Sequence, residues 1–181
     1  CGSNFLRSLG LIRSKFQKYL ALASFTDPSK TICGVVSTHN EANARCLGLV
    51  IMLGMRKYSD RIQLIDLNGL FKLDNPKKID INLLGQVSSL VLDKDCEVLQ
   101  PHSELTAYEL KLYIQKIRHD GIAAVFLFNN LEAKHNELMF LSDSIDRLFF
   151  GVKVKKTTRN HLEVIDEILL KNDKSGAMVY C

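Results

Sequence analysis

The apolar side chains of this sequence are spaced in two ways. Short apolar runs of five to eight residues alternate with longer segments in which apolar residues recur every three or four positions. The first spacing is typical of strands buried on both faces, and the second is typical of helices packed on one side. Strands alternating with helices along one chain favour a parallel sheet. The pattern predicts a single α/β domain over residues 1–181, with a doubly wound, mostly parallel sheet and helices on both faces.

The predicted strands and helices follow directly from these two spacings. The strands are Thr31–Ser37, Arg61–Asn68, Ser88–Leu92, Cys96–Leu99, Ile122–Phe128, Arg147–Val154 and Ala177–Tyr180. The helices cover about residues 4–22, a segment from about Asn43, Ser103 to about Arg118, Glu137–Asp143 and His161–Leu170. Leu70–Leu84 is rich in Asp, Asn, Lys and Pro and is predicted to be a loop.

The segment Thr31–Leu53 is the centre of this arrangement. A buried strand ends at Ser37, a short polar connection follows, and an apolar helix begins near Asn43. This geometry places main-chain N–H groups and the positive end of a helix dipole where a phosphate would bind. A phosphate-binding loop also needs glycines, a lysine and a hydroxyl that holds magnesium. The interval 37–45 contains no Gly, no Lys, and no Ser or Thr after Thr38.

The missing lysine and hydroxyl determine what this loop is expected to bind. Charge-assisted bonds of this kind contribute about 1.5–3 kcal/mol each. Losing both lowers the affinity for ATP and magnesium by roughly 10³-fold or more. We therefore expect no cofactor, no metal and no catalytic residue, although Arg45 and Lys156 remain alternative sources of charge for weak anion binding.

Two other groups of polar residues each leave two interpretations open, and a third, the remaining histidines, does not indicate a metal site. Asp66 ends a predicted buried strand, where it could face a ligand crevice or cap a turn before Gly69. His39 near Glu41 could act in acid–base chemistry, or could simply be part of a polar turn. The remaining histidines are scattered without the spacing of metal ligands.

The N-terminal segment, about residues 4–22, carries apolar side chains at helical spacing. Its basic residues, including Arg7 and Arg13, fall mostly on the opposite side. The helix could pack on the sheet or form a basic interaction surface.

Composition narrows the function classes further. Hydrophobic residues make up 46% of the chain and charged residues 24%, as in ordinary globular proteins. The longest apolar run, Leu47–Met55, is too short to span a membrane, and no signal peptide is visible. The five cysteines form no close pair, which favours a reducing compartment and therefore the cytoplasm. The net charge of +4 is spread along the chain, so nucleic acid is not an expected partner.

The order of motifs resembles the cytoplasmic domain of bacterial tyrosine kinases (BY-kinases), which are relatives of the MinD/ParA-type P-loop ATPases. The resemblance covers nearly the whole chain. The family's phosphate loop falls on residues 37–45, where Ser37 and Glu41 agree with its pattern. Its second motif, an apolar strand ending L-I-D-x-D, resembles residues 64–68 and keeps Asp66, with Asn68 at the second acidic position. The remaining loop positions read Thr38, His39, Asn40, Ala42, Asn43 and Ala44, where the family has its glycines, lysine and magnesium-holding hydroxyl.

Farther along the chain the resemblance becomes closer. The family's third motif, an apolar strand ending I-D-x-P-P, falls on Ile122–Leu131 without its Asp or prolines. Residues 142–152 resemble the family's helix followed by a strand, with Asp146 before the strand. Lys156–Arg159 match the family's K-T-T-R turn residue for residue.

The resemblance implies a pseudokinase-like domain that keeps the fold without catalysis. The implied role is a partner-binding or regulatory component of bacterial exopolysaccharide synthesis or export. The implied partner is a membrane chain-length-regulating or export protein, with Arg7 and Arg13 as interface candidates and a homo- or hetero-oligomer as the assembly. Localisation would be cytoplasmic, peripheral to the inner membrane through that partner. The alternative is a residual nucleotide-binding regulator or ATPase of the ParA/MinD type, and a nucleic-acid-binding relative of ParA is the weakest reading.

Overall fold

The computed structural model describes residues 31–38, 41–56, 58–152, 156–171 and 176–180. The side chains of residues 41–43 and 176–180 are not included in that description. The predicted helix at about residues 4–22, with the interface candidates Arg7 and Arg13, lies outside the described residues. So do His39 and Asn40 of the predicted phosphate loop.

One eight-stranded sheet carries the described residues, with strands in the order β3-β4-β5-β2-β6-β1-β7-β8. All neighbouring pairs from β5 to β8 are parallel, and β3 and β4 are antiparallel additions at one edge. The strands are β1 (Ile32–Ser37), β2 (Ile62–Asp66), β3 (Lys77–Ile81), β4 (Gly85–Asp93), β5 (Cys96–Pro101), β6 (Ala123–Phe128), β7 (Arg147–Val152) and β8 (Gly176–Tyr180). The helices are α1 (Glu41–Met55), α2 (Ala107–His119), α3 (His135–Leu141) and α4 (Arg159–Lys171).

The helices divide between the two faces of the sheet. Helix α1 packs with one set of alternating strand residues, and α2, α3 and α4 pack with the other set. The three central strands β1, β2 and β6 are buried at every position, and β6 is the unbroken apolar run typical of buried parallel strands, whereas β2 also includes Gln63 and Asp66. This architecture confirms the predicted α/β fold with a mostly parallel sheet and helices on both faces.

The loop predicted over Leu70–Leu84 is wrong in part, because it contains strand β3. Lys77–Ile81 pairs antiparallel with Gly85–Ser89, and the connecting turn places Leu83 and Gly85 at positive φ. Four of the five β3 residues are exposed. A strand at an exposed edge needs no alternating apolar face, so its sequence carries no strand pattern.

Several helix boundaries also differ from the prediction. Helix α2 begins at Ala107, not at Ser103, because Thr106 is its N-cap and forms a capping box with Glu109. Helix α3 begins at His135, two residues before the predicted start, and α4 begins at Arg159. Within the part of the chain that the structure describes, no helix is both long and apolar enough to cross a membrane.

Candidate functional site

The candidate site lies at the carboxyl ends of β1, β2 and β6. Strand β1 is hydrogen-bonded to β6 on one side and to β7 on the other. The chain leaves β1 toward α1 on one face, whereas β6 and β7 lead to α3 and α4 on the opposite face. Adjacent strands whose connections leave to opposite faces form the crevice in which doubly wound folds bind ligands. All three predicted nucleotide motifs end at this edge.

The first motif starts at Thr38, which is bound to β7 and to the turn before α4. Its main-chain N–H and its hydroxyl both donate to the Gly151 carbonyl, at 3.2 and 2.9 Å. The same hydroxyl lies 3.3 Å from the Thr157 hydroxyl. Helix α1 begins at Glu41, so the strand and the helix predicted for this segment are present. Ala44, at the position where the family has its magnesium-holding hydroxyl, is fully buried.

Asp66 is fully buried at the end of β2, and its carboxylate caps the turn that follows. The Leu70 N–H donates to Oδ1 at 2.9 Å and the Phe71 N–H donates to Oδ2 at 2.8 Å. The Gln100 side-chain amide donates to Oδ2 at 2.7 Å and to the Phe71 carbonyl at 2.6 Å. Both carboxylate oxygens therefore bind groups of the chain itself. Of the two interpretations of Asp66, the turn cap describes the observed geometry. We call Asp66, Leu70, Phe71 and Gln100 the Asp66 clasp.

Arg45 in helix α1 also hydrogen-bonds to the turn that belongs to the Asp66 clasp. Its Nη1 donates to the Leu70 carbonyl at 3.1 Å. Gly69, at φ 64°, allows the sharp turn that brings Leu70 and Phe71 back over the end of β2. The guanidinium that the sequence offered as a source of charge for an anion is therefore engaged with the turn after β2.

The second and third motifs meet at a pair of asparagines. The Asn129 N–H, directly after β6, donates to the Asn68 side-chain oxygen at 2.9 Å. Asn130 has φ 60°, its N–H donates to the Asn129 side-chain oxygen, and its own side chain accepts from the Ala133 N–H. These amide side chains satisfy main-chain N–H groups where the chain turns toward α3. Asn68 thus serves to join the ends of β2 and β6.

The turn that matches the family's K-T-T-R pattern joins the crevice to helix α4. The His161 Nδ1 accepts from the Thr158 N–H at 3.1 Å and lies 2.6 Å from the Thr158 hydroxyl. The His161 N–H in turn lies 3.4 Å from that hydroxyl. This is a capping box in which histidine takes the place that glutamate usually has. Nδ1 is the acceptor for the Thr158 N–H, and Nε2 of the same ring lies 3.3 Å from a Glu132 oxygen.

Asp146, which precedes β7, lies at the opposite edge of the sheet. Its Oδ2 accepts from the Ile32 N–H at the start of β1, and its Oδ1 is 2.8 Å from the Arg118 Nη2. Arg118 also donates to the Ser144 carbonyl at 2.8 Å. This carboxylate fixes the amino end of β1 and is remote from the crevice.

A cavity of about 490 Å³ adjoins the crevice on the side of α2 and α3. Sequence reasoning missed it, because it forms where three loops converge. Lys134 lies on its rim with ion pairs of 2.7 Å to Glu137 and 3.2 Å to Glu104. Partial burial lowers the pKa of Lys134, but the hydrogen bonds and charges of these two glutamates outweigh it and raise that pKa overall. The cavity is lined by Leu67, Asn68, Gly69, Pro101, His102, Ser103, Glu104, Leu105, Leu110, Phe128, Lys134 and Glu137.

The other candidate chemistries find little support in the described residues. Among them, no three His, Cys, Asp or Glu side chains form a group that could hold a metal ion. Burial, together with the nearby Asp146 charge, raises the pKa of the Cys33 thiol to about 12, and burial also raises the pKa of Cys46. Such thiols are poor nucleophiles at neutral pH.

Comparison with known proteins identifies the fold. No protein-family model and no curated protein matches the sequence. The BceF tyrosine kinase domain is similar in structure, with a TM-score of 0.59 at 9% identity over 88% of this chain and 72% of that one. The kinase domain of the Escherichia coli tyrosine kinase ETK has a TM-score of 0.58 at 8% identity, covering 93% and 73%. The Aquifex aeolicus cell division protein MinD has a TM-score of 0.56 at 14% identity, covering 82% and 68%.

These similarities show that the chain has the P-loop fold of BY-kinases and of MinD/ParA-type ATPases. At these levels of identity they show the fold alone.

Proposed function

We propose that this chain is a non-catalytic, pseudokinase-like domain that keeps the BY-kinase fold in order to bind a protein partner. The crevice is in the place where the fold family binds nucleotides, but its motif residues are hydrogen-bonded to neighbouring parts of the chain. Thr38 is bound to β7, Asn68 to the end of β6, and Asp66 to the turn after β2. Each of these bonds stabilises the local fold and needs no ligand.

The single observation that carries this proposal is the Asp66 clasp. A carboxylate that holds magnesium needs a free oxygen facing the phosphates. Here one oxygen accepts from Leu70 and the other from Phe71 and Gln100, in a fully buried site. Releasing Asp66 toward a metal would leave two buried main-chain N–H groups without an acceptor, at a cost of about 1–3 kcal/mol each.

The likeness to tyrosine kinase domains supports a proposal about the biological setting. We infer a regulatory or scaffolding role in bacterial exopolysaccharide synthesis or export. The partner would be a membrane chain-length-regulating or export protein, and the chain would act at the cytoplasmic side of the inner membrane. Homo- or hetero-oligomers fit this role.

Calorimetric titration of the 181-residue chain with ATP and ADP, in the presence of magnesium, tests the catalytic half of the proposal. We expect no binding up to millimolar nucleotide, because the loop lacks the lysine, the glycines and the hydroxyl that hold a triphosphate. Binding in the micromolar range would overturn the proposal and favour the alternative, a nucleotide-binding regulator of the ParA/MinD type.

Recovery of the partner from solubilised membranes tests the other half. The tagged chain is expected to retain a polysaccharide chain-length regulator identified by mass spectrometry, and the Arg7→Glu, Arg13→Glu double variant is expected to lose it. Lys94→Glu, Lys171→Glu is the matched control, since it makes the same charge change at two exposed sites. If the unsubstituted chain and both double variants recover the regulator equally, Arg7 and Arg13 do not belong to the interface.

A further inference from the structure

Among the strands that the structure describes, β3 is the outermost on its side of the sheet, and one of its edges has no neighbouring strand. In an antiparallel pair every second residue turns its main-chain N–H and C=O away from the partner. Lys77, Lys78, Ile79 and Asp80 are all exposed, and 39% of Ile79 is accessible. Unprotected edges of this kind are places where another strand can add to a sheet.

The side chains of β3 fall on two faces. Lys78 and Asp80 lie opposite Ser88 and Gln86, and Ile79 lies opposite the buried Val87. Because side chains alternate along a strand, Lys78 and Asp80 share one face and Ile79 points to the other. Among the described residues, neither Lys78 nor Asp80 takes part in an ion pair.

We propose that β3 pairs antiparallel with β3 of a second copy of this chain, with the two-fold axis at Ile79. In that register Ile79 lies opposite Ile79 of the other copy. Lys78 then lies opposite Asp80 of the other copy, and Asp80 opposite its Lys78. The central Lys78-Ile79-Asp80 is therefore complementary to itself about Ile79, as a symmetric interface requires, while Lys77 lies opposite Ile81 of the other copy.

The charges select this partner and this orientation. Directly opposed side chains in an antiparallel pair are about 4.5–5.5 Å apart at Cβ, close enough for opposite charges to stabilise the pair. An in-register parallel pairing would instead place Lys77 and Lys78 beside their own copies, which is destabilising.

Apolar surface continues beyond the pairing residues. Val91, which is 58% exposed, lies on β4 on the same face as Val87 and therefore as Ile79. Five paired residues bury less surface than a standard interface. We therefore expect a weak dimer, in rapid exchange with the monomer, whose share of the protein rises with concentration.

Sedimentation equilibrium of the 181-residue chain tests the proposal. The unsubstituted chain is expected to show a concentration-dependent monomer–dimer equilibrium. Lys78→Asp and Asp80→Lys each oppose like charges twice across the axis, so each should raise the dissociation constant by about tenfold or more. The double variant Lys78→Asp, Asp80→Lys restores opposite charges and should restore dimerisation.

Glu163→Lys, an exposed charge reversal on α4, is the matched control and should dimerise normally. Thermal unfolding should be similar for all of these proteins at low concentration, because the altered side chains are exposed. A monomeric parent chain, or single variants that dimerise as the parent does, would overturn the proposal. So would a double variant that remains as weak as either single variant.

Cysteine crosslinking tests the register itself. Ile79→Cys places two thiols opposite each other at the axis and should give a disulfide-linked dimer under mild oxidation, above the level of the parent chain. Lys77→Cys places the two thiols four residues apart along the strands, about 13 Å, and should not. Efficient crosslinking at residue 77, or none at residue 79, would contradict the two-fold axis at Ile79.

Discussion

Two carboxylates at opposite edges of the sheet, Asp66 and Asp146, show how this fold is held together. Asp146 at the amino edge is 18% exposed and combines a main-chain N–H with the cation of Arg118. Asp66 at the carboxyl edge is fully buried and accepts hydrogen bonds from two main-chain N–H groups and from the amide of Gln100. Related folds bind ligands at the carboxyl edge. In this protein the carboxylate at that edge, Asp66, is more completely enclosed by its own chain than Asp146 is.

The motifs that resemble those of BY-kinases contain residues that match the family pattern and residues that depart from it. Asp66, Asp146 and Thr158 match the pattern, and each makes hydrogen bonds within the chain. The positions that depart from it, such as Asn43 and Ala44, are those at which the family's side chains contact phosphate or magnesium. These three matching residues therefore each stabilise the fold.

Asp66→Ala should cause the largest loss of stability. It would leave the N–H groups of Leu70 and Phe71 buried without an acceptor, and each such group costs about 1–3 kcal/mol. We expect the free energy of unfolding in urea to fall by about 3 kcal/mol or more.

The control for that experiment is Asp74→Ala, an exposed aspartate in the same connection, which should change stability by less than about 0.5 kcal/mol. If Asp66 were instead a ligand-binding residue without a structural role, its removal would be neutral or stabilising, and that result would break the comparison.

Asp146→Ala should cost less, about 1–2 kcal/mol, because the site is partly solvated and Arg118 can be hydrated once its partner is lost. Added salt should weaken the effect of this change more than that of Asp66→Ala, since only the Asp146 site includes an ion pair near solvent. Urea unfolding at low and high salt measures both quantities. Equal salt dependence at the two sites would contradict the distinction.

Alkaline pH should lower the stability of the protein, because the buried Cys33 thiol ionises less readily in the folded chain than in the unfolded chain. Burial first, and the Asp146 charge second, raise the pKa of Cys33 from 9.0 to about 12 in the folded protein. The unfolded chain therefore loses this proton at lower pH, and the stability that Cys33 contributes is complete below pH 9 and is lost between pH 9 and 12. At pH 10 the loss is about 1–2 kcal/mol.

Unfolding midpoints measured from pH 8 to 10.5 check this effect. Cys33→Ala should show a shallower decline than the parent chain, although its stability at pH 8 will also differ. Tyr113, whose pKa is raised chiefly by burial, keeps its share of the alkaline decline in both proteins. Identical slopes would show that Cys33 is not protected in the folded state.

Thr158→Ala should have the smallest effect, about 1 kcal/mol, through loss of the hydroxyl that caps helix α4. Thr158→Ser keeps the hydroxyl and should retain most of the stability. Thermal unfolding of the two variants measures the difference. Equal losses would mean that the hydroxyl is not the stabilising group.

The sequence predicted the parts of the fold that depend on local patterns. Buried parallel strands such as Ile122–Phe128 are unbroken apolar runs, and helices show their apolar side at regular spacing. Strand β3 escaped prediction because an exposed edge imposes no pattern. The position of the site was predicted from its motifs, but its internal contacts were not: Gln100 reaches Asp66 across 34 positions and Asn68 reaches Asn129 across 61, and no local pattern records such contacts.

Amide hydrogen exchange at Leu70 and Phe71, followed by NMR with and without magnesium and ATP, tests the central claim most directly. If Asp66 is a permanent turn cap, both amides are strongly protected and their exchange rates do not change when nucleotide is added. Faster exchange of these two amides with magnesium–ATP would show that Asp66 is released to the metal, and the crevice would then be a working nucleotide site.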